Sequence, residues 1–348
     1  MMLIMSGSVL LLLAFPAVIS EVVDFSKCSE FFFEGKSPVI PGILENSTPQ
    51  NDRYKTICQK FNDSYRFTTL FDTTKKIPIF SAYKFTAAAK TPRLRDGWMI
   101  EPQLELLKDE MGVPYENQAI DEDYYYNKCN VGRGHLFPSC HSPDKVFAQS
   151  TFTLTNTVPQ KESFNSGSWN RMEIETKDLM GKYCVDEMDQ NKVLAHVLTG
   201  AVPGNNKLNE RVNIPSFMWM TFCCYNNSSQ SWISQAYWAP NEDENKADNI
   251  TIAVRSLQEL QEFLSTKWVK ITQLFENNCA KNRNMYNPMK ARSKIREIIK
   301  LRAQCRRLAL TERRNLAHRC LAASGDTSGY VPIQRQSPRL RSLRPPKD

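Results

Sequence analysis

The sequence lacks several features that mark other classes of protein. It contains no internal repeat, which excludes a repeat architecture. Beyond an apolar N-terminal segment, no run approaches the roughly 20 apolar residues that a helical membrane span needs, so we expect no stable membrane span. Only four histidines are present, which leaves few candidates for proton transfer near neutral pH.

The charge is unevenly distributed along the chain. The formal net charge is +8, but residues 281–348 carry 18 Lys and Arg against 4 Asp and Glu, and the remainder is mildly acidic. A basic segment of this kind attracts nucleic acid and other polyanions or anionic membranes, although a merely solvated tail has the same composition. We predict a basic tail over 281–348, helical over 289–321 and disordered over 324–348.

The N-terminus and the cysteines indicate a secreted protein. Residues 1–20 are apolar and end in small residues, which predicts a signal peptide, with an uncleaved anchor as the alternative. Ten cysteines, an even number, indicate disulfide bonds in an extracellular compartment. N-glycosylation sequons support a secreted glycoprotein; they lie at Asn46, Asn62, Asn226, Asn227 and Asn249.

The organisation predicted for the rest is an N-terminal extension over 21–64 and one domain over 65–280. The extension contains prolines and two cysteines, and we expect disulfides to hold it. Runs 66–72 and 77–86 predict a β-hairpin, and 192–202, 212–224 and 232–238 predict further strands. Apolar spacing after Ser256 predicts a helix over 256–278. The fold class is therefore α+β, with a mixed, mainly antiparallel sheet flanked by helices.

The residues that carry chemistry are concentrated in 132–175. His135 has the side chain best suited to take a proton from water near neutral pH. Arg133 is a permanently charged fork that matches phosphate oxygens. Gly134 lets the backbone bend or a bulky substrate approach. An apolar run with Phe152 and Leu154 predicts a strand after this triplet.

A helix is predicted to start at 164–169, where Ser, Gly and Asn favour capping. At spacings of four residues, Asn165, Trp169 and Glu173 would share one side of this helix. An amide oxygen and a carboxylate suit a hard cation such as Mg²⁺, which keeps most of its water ligands.

Three spaced blocks now match a known pattern in order: RGH-L-x-P at 133–138, T-x-T-x-x-N-x-x-P-Q at 151–160, and F-N-x-x-x-W-x-x-M-E at 164–173. Together they resemble the DNA/RNA non-specific endonucleases of the ββα-metal (His-Me finger), endonuclease G type. The resemblance covers roughly 66–239. Blocks near 24–32, 77–83 and 215–224 resemble the secreted branch of that family, the endonuclease domain-containing 1 group.

The resemblance implies a role for each motif residue. His135 is the general base, Asn165 is the direct metal ligand, Glu173 orients a water of the metal's shell, and Arg133 binds phosphate. The implied function is secreted, Mg²⁺-dependent hydrolysis of phosphodiester bonds in DNA and also RNA, with Mn²⁺ able to replace Mg²⁺ and 5′-phosphate products. One departure is that Gly132 stands where the family has Asp, which removes a carboxylate from the site.

Two rival functions remain open. Gly132 is compatible with a catalytically weakened nuclease-like protein that binds nucleic acid or a protein partner. The basic tail is compatible with a surface-interaction protein whose active part is that tail. The oligomeric state is not encoded in any motif.

The remaining candidates have structural interpretations. We predict structural or exposed roles for His141, His196 and His318. Cys140 beside His141 suggests zinc, but a disulfide through Cys140 is the favoured prediction. The adjacent Cys223 and Cys224 are expected to bond to different partners, because neighbouring cysteines are strained when bonded together. Segment 121–126 is predicted to be a partly buried loop rather than a base-stacking platform.

Overall fold

The computed structural model describes residues 21–88, 97–105, 115–125, 127–248, 250–271, 273–276 and 279. The predicted signal peptide over 1–20 and basic tail over 281–348 lie outside these residues. No helix within the described ranges is long and apolar enough to cross a membrane.

The described strands and helices follow one another along the chain. The strands are β1 (Glu21–Val22), β2 (Leu44–Glu45), β3 (Thr48–Pro49), β4 (Tyr54–Phe61), β5 (Ser64–Asp72), β6 (Ile77–Phe85), β7 (Val131–His135), β8 (Thr157–Lys161), β9 (Cys184–Val185), β10 (Ala195–Val202), β11 (Lys207–Leu208), β12 (Val212–Asn213), β13 (Phe217–Asn226) and β14 (Ser231–Pro240). The helices are α1 (Asp121–Tyr124), α2 (Lys145–Ser150), α3 (Glu162–Phe164), α4 (Asn170–Tyr183) and α5 (Leu257–Lys267).

The main sheet has the order β1-β4-β5-β6-β10-β13-β14, with β9 paired to β13. Its strand pairs are antiparallel. Pairs β2-β3, β7-β8 and β11-β12 form separate two-stranded ribbons. The predicted α+β class with a mainly antiparallel sheet is confirmed, and so is the predicted hairpin, which is β5-β6.

The segment 21–64 differs from its prediction as an extension. It contributes β1 and β4 to the main sheet, where β4 pairs along its length with β5. The Cys28–Cys58 disulfide ties the short helical turn at Phe25–Phe31 to β4. The apolar residues of β4 explain its position, because they are buried against the sheet's core.

Both faces of the central strands are buried, so the sheet lies between two hydrophobic clusters. On one face, Tyr83 of β6 belongs to a cluster with Phe137 and Trp169, and the elements that cover this face include α4. The opposite face carries Phe80 and Trp219 and is covered by α5 together with the Phe25–Phe31 turn. Burial on both faces explains why these strands are apolar in runs rather than in strict alternation.

Three later strands agree with their predictions, while the final helix is shorter than predicted. Strands β10, β13 and β14 fall at the runs 192–202, 212–224 and 232–238. Ser256 caps α5 through a reciprocal box with Glu259. The helix ends at Lys267 rather than near 278, because Trp268 has φ −145° and ψ −75° and turns the chain away.

The disulfides confirm one prediction and overturn another. Cys224 is bonded to Cys184, while Cys223 is bonded to Cys279, so the adjacent pair has two partners. Cys140 is a free thiol, and the disulfide predicted through it is wrong. The Cys140 side chain is half-buried near Glu173, and desolvation raises the pKa of its thiol to about 12.

The predicted sequons differ in accessibility. Asn46, Asn62 and Asn227 are exposed. Asn226 is only 2% exposed, and its side-chain oxygen accepts hydrogen bonds from the main chain of Ser228 and Ser229, so it is not a glycosylation site in the folded protein.

We expect Gly200→Ala to destabilise the sheet and Gly181→Ala to stabilise the protein slightly. A Cβ at position 200 would collide with the Trp219 ring and the Ile79 carbonyl, and overpacking of this kind costs about 1–3 kcal/mol. A Cβ at position 181, in α4, meets no atom within 4 Å, and Gly→Ala in a helix gains about 0.5–1 kcal/mol. Urea unfolding measures the free energy of unfolding of each variant. Equal free energies for Gly200→Ala and Gly181→Ala would contradict the packing argument.

Candidate active site

The predicted site is built on a strand–strand–helix unit. Strands β7 and β8 pair antiparallel, with His135 opposite Thr157, and the chain then enters α3 directly. A π-turn at Asn165–Trp169 connects α3 to α4. The strand predicted at Phe152 and Leu154 is wrong, because those residues precede and begin a 3₁₀ turn at Leu154–Asn156 and the strand starts only at Thr157.

Gly134 is required by a neighbouring side chain. A Cβ at position 134 would collide with Gln160, which is fully buried on the paired strand. The close approach of Gln160 therefore explains the glycine at position 134, whereas the sequence suggested a bend or an approaching substrate.

Asn156 ties the loop between the two strands to the main sheet. Its Oδ1 accepts hydrogen bonds from the main-chain N–H of Phe137 at 3.0 Å and from the Ser81 hydroxyl at 2.9 Å. Its Nδ2 donates to the carbonyls of Phe137 and Thr151. The side chain is fully buried, so removal of this amide would take a partner from the Phe137 N–H and from the carbonyls of Phe137 and Thr151. The motif asparagine is thus a structural anchor of the site.

His141 joins the same loop to α4. Its Nε2 donates to the Glu173 carbonyl at 2.9 Å, and its Nδ1 accepts from the Tyr83 hydroxyl at 2.9 Å. Burial lowers its pKa to about 4, so the ring is neutral. With both nitrogens engaged, His141 has no lone pair for a metal, which rules out the zinc alternative at Cys140 and His141 and gives His141 a structural role.

Arg133 and His135 lie together beneath Trp98. They are two residues apart on β7 and so project from the same face. The Trp98 ring is 5.0 Å from the imidazole, and the Arg133 guanidinium lies 5.6 Å from that indole. Phe152 covers another side of the imidazole at 4.8 Å. The tertiary structure therefore brings these two predicted site residues together.

The environment of His135 keeps its ring neutral. Burial lowers its pKa to about 4. Its Nε2 is buried and makes no hydrogen bond with any described residue. No hydrogen bond or ion pair joins His135 to Asn165 or Glu173 within the described ranges. A neutral imidazole with an unpaired nitrogen is competent to accept a proton.

The Arg133 guanidinium is partly engaged already. Its Nη2 donates to the Asp121 carbonyl at 2.9 Å and forms an ion pair with the Asp121 carboxylate. The rings of Tyr124 and Tyr125 lie 4.9 and 5.2 Å from it. Its Nε is buried without a partner among the described residues. The segment predicted as a loop at 121–126 thus begins with α1 and holds the arginine side chain.

Asn165 stands at the π-turn, where the helix departs from regular geometry. Gly167 has non-helical φ −99° and ψ −118°. The Asn165 side chain is half-buried and makes no hydrogen bond with another described residue. Trp169 and Glu173 are buried instead, so the turn separates Asn165 from the environment that its predicted helical neighbours share. Single-turn π insertions are frequent at functional sites.

The acidic segment 241–248 holds the start of this helical stretch in place through side-chain contacts. The Glu244 carboxylate accepts from the Ser168 N–H at 2.9 Å and from its hydroxyl. Asp243 pairs with Lys161 at 2.9 Å, and the Asn241 side chain accepts from the Lys161 N–H. Segment 241–244 therefore fixes both ends of the stretch that contains Asn165.

Glu173 is 8% exposed at the first turn of α4. Burial raises the pKa of its carboxyl to about 8, and the Trp169 indole opposes that rise only in part. The carboxyl is therefore largely protonated at neutral pH. A nearby cation would favour its ionised form.

The residues present fit a divalent cation held chiefly by water. The Asn165 amide is unengaged, and Glu162 and Glu173 supply carboxyl groups from the same helical segment. Three or more His, Cys, Asp or Glu side chains do not cluster in a metal-ligand arrangement anywhere in the described ranges. Oxygen donors in small number suit Mg²⁺ or Mn²⁺.

Comparison with known proteins decides the family. The family model described as DNA/RNA non-specific endonuclease matches residues 46–272, well over half of the chain. The chain belongs to the DNA/RNA non-specific endonuclease family. The match includes the whole ββα unit of this endonuclease domain and also β4, within the segment predicted as an extension.

Several relatives of this chain are known. It is 28% identical to human endonuclease domain-containing 1 protein over 297 residues, covering 80% of this chain and 52% of that protein. The mouse protein of the same name gives 28% over 295 residues, covering 81% and 52%. The chain thus spans about half the length of these relatives. Mouse mitochondrial nuclease EXOG is 35% identical over 77 residues, covering 22% of this chain and 20% of EXOG.

A similar solved structure is a chain of the crystal structure of the EndoG/EndoGI complex. The TM-score is 0.44 at 16% identity, with 63% of this chain and 86% of that chain covered.

Glu173→Gln should stabilise the cation-free protein at high pH. The folded-state pKa of Glu173 is raised from 4.5 to about 8. The stability contributed by the protonated carboxyl is thus fully present below the unfolded pKa and lost as pH rises through the folded one. We expect the variant to gain on the order of 3 kcal/mol over wild type at about pH 9, and little at about pH 4.

Urea unfolding in EDTA measures this difference across the pH range. Glu175→Gln, an exposed glutamate on the same helix, is the matched control and should behave as wild type at every pH. If Glu173→Gln is no more stable than wild type at high pH, burial does not raise the pKa of the Glu173 carboxyl.

Glu244→Ala should loosen the π-turn. It removes the acceptor of two hydrogen bonds that the Ser168 N–H and hydroxyl donate to the Glu244 carboxylate, and hydrogen bonds to a charged group are worth about 1.5–3 kcal/mol each. Hydrogen exchange of the amides at 165–169 should accelerate, and the free energy of unfolding should fall. Glu242→Ala, exposed in the same segment, is the control, and identical exchange in the two variants would remove Glu244 from the clamp.

Proposed function

We propose that this protein is a secreted endonuclease that uses a divalent cation to hydrolyse phosphodiester bonds in DNA, with RNA as a second substrate. The observation that carries the proposal is the ββα unit, which holds a neutral His135 imidazole next to Arg133 and before the unengaged amide of Asn165. Membership of the nuclease family supports the reaction class. The three disulfides among the described residues support an oxidising, extracellular compartment.

His135 acts as the general base. It is neutral over the physiological pH range because burial lowers its pKa to about 4. An imidazole with so low a pKa is a weak base in the free protein. Binding of an anionic phosphodiester raises that pKa, because a nearby negative charge favours the imidazolium. The ring then takes a proton from the water that attacks phosphorus in line with the leaving 3′-oxygen.

Arg133 binds the phosphate. Its Nη2 remains on Asp121, which fixes the orientation of the guanidinium, while the unpaired Nε–H is left to donate to a non-bridging oxygen. Trp98 and Tyr124 restrict the side chain further. A preoriented donor stabilises developing charge without reorganisation during the reaction.

Asn165 is the residue that would hold the cation directly, with Mg²⁺ as the natural ion and Mn²⁺ as a substitute. When bound, the cation supplies charge neutralisation at the phosphate and at the leaving oxygen. Glu173 would ionise beside the bound cation and would then accept hydrogen bonds from water in the site.

The site gives no means of reading sequence. Arg133, His135 and Asn165 address phosphate, water and cation rather than base edges, so we expect little sequence preference.

A second candidate is a nuclease-like protein with weakened catalysis that binds nucleic acid or a protein partner. Two observations favour it. Gly132 removes a carboxylate from the motif, and the Asp121 ion pair already engages part of the Arg133 guanidinium. Nucleic-acid binding without turnover would distinguish this candidate.

Nicking of supercoiled plasmid tests the proposal. The full-length, disulfide-bonded protein should nick DNA with Mg²⁺ or Mn²⁺ and lose the activity in EDTA. His135→Ala should lower the rate by about 10²–10⁴-fold, because it removes the general base. His318→Ala, in the basic C-terminal segment, is the control histidine and should keep most of the activity.

Two results would count against the enzyme. Wild-type protein that binds plasmid in Mg²⁺ but never nicks it would favour the second candidate. Nicking that persists in His135→Ala would assign the activity to a contaminant or to another site.

A further inference from the structure

The Glu162 side chain lies next to Gly132, where any other residue would carry a side chain. A Cβ built on Gly132 would lie 3.7 Å from Cγ and 3.9 Å from Oε1 of Glu162, which are ordinary contact distances. A carboxylate therefore occupies the space next to position 132 although the residue there is glycine. The side chain comes from the start of the helix rather than from β7.

The main chain of Glu162 is fixed on both sides. Its N–H donates to the Asn130 carbonyl at 3.0 Å, just before β7 begins. Its carbonyl accepts from the Ser166 hydroxyl at 2.7 Å. These bonds hold the carboxylate close to the strand that carries the Arg-Gly-His triplet.

Glu162 also stands one helical turn before Asn165. Residues three apart on a helix lie on one side, with Cβ atoms about 5–6 Å apart. The Glu162 side chain is exposed and makes no ion pair or hydrogen bond with another described residue. The adjacent Lys161 does not neutralise it, because that ammonium is bound to Asp243 and to the Cys129 carbonyl.

We propose that Glu162 supplies the carboxylate that Gly132 lacks, and that it strengthens cation binding at Asn165 as a positioning residue. The inference rests on the proposed function of Asn165 as cation ligand. An uncompensated carboxylate beside an unengaged amide oxygen matches the preference of hard cations for oxygen and negative charge. The competing role is purely structural, since a glutamate at a helix start also favours the helix dipole.

The experiment is Mn²⁺ binding to the full chain, followed by the paramagnetic resonance signal of free Mn²⁺. Glu162→Gln should weaken the site by about 10-fold, the lower end of the effect of residues that support metal ligands. The double variant Gly132→Asp/Glu162→Gln should restore affinity to within about 3-fold of wild type, because the new carboxylate enters the same space. Glu175→Gln is the control for loss of one charge and should bind as wild type.

Each outcome decides between the roles. Loss of thermal stability in Glu162→Gln with unchanged Mn²⁺ affinity would assign the residue to the helix start and overturn the inference, as would a double variant no better than Glu162→Gln. The variant Asn165→Ala distinguishes failure of the inference about Glu162 from failure of the proposed cation site. If it abolishes binding while Glu162→Gln does not alter it, only this inference fails. If wild type and Asn165→Ala bind Mn²⁺ alike, the proposed cation site fails as well.

Discussion

The buried amide of Asn156 is the constraint on which the rest of the site depends. With one fully buried side chain it satisfies polar groups of the β7-β8 loop and of the main sheet. An unpaired buried polar group costs more free energy than a typical hydrogen bond gains. Any displacement of the loop that broke these hydrogen bonds would therefore be unfavourable, and the network fixes the position of the loop. His141 fixes the far side of the loop to Glu173 on α4. The strand with His135 and the helix with Asn165 are thereby held on a common support.

Desolvation then determines the electrostatic state of the site. Burial lowers the pKa of His135 to about 4 and raises that of Glu173 to about 8, so both groups are neutral in the free protein over most of the physiological range. A site of low charge is less costly to bury. Substrate and cation would supply opposite charges and reverse both shifts. The same burial that keeps both groups uncharged in the free protein would therefore make their protonation respond to bound ligands.

Part of this arrangement was predictable because it is local. The RGH triplet, the Asn165 position and the helix after it follow from short spacings, and the hairpin β5-β6 follows from apolar runs around a polar turn. The residues at which helices and strands begin and end were less predictable. The π-turn at Gly167 depends on Glu244, 76 residues from Ser168 in sequence, and nothing in the local pattern of 241–248 indicates a clamp. Segment 21–64 likewise joins the sheet through long-range pairing of β4, which composition does not reveal.

The sequence by itself determined which chemical groups are available and in what order: a guanidinium and an imidazole on one strand, then an amide and carboxylates on the helical segment that follows the second strand. Local backbone preference and side-chain periodicity encode that much. Only the tertiary structure decided that Arg133 forms an ion pair with Asp121, that the His135 ring is neutral, and that the Glu162 side chain lies beside Gly132. Those properties arise from burial and from contacts between distant segments, and neither is a property of a residue in its own stretch of chain.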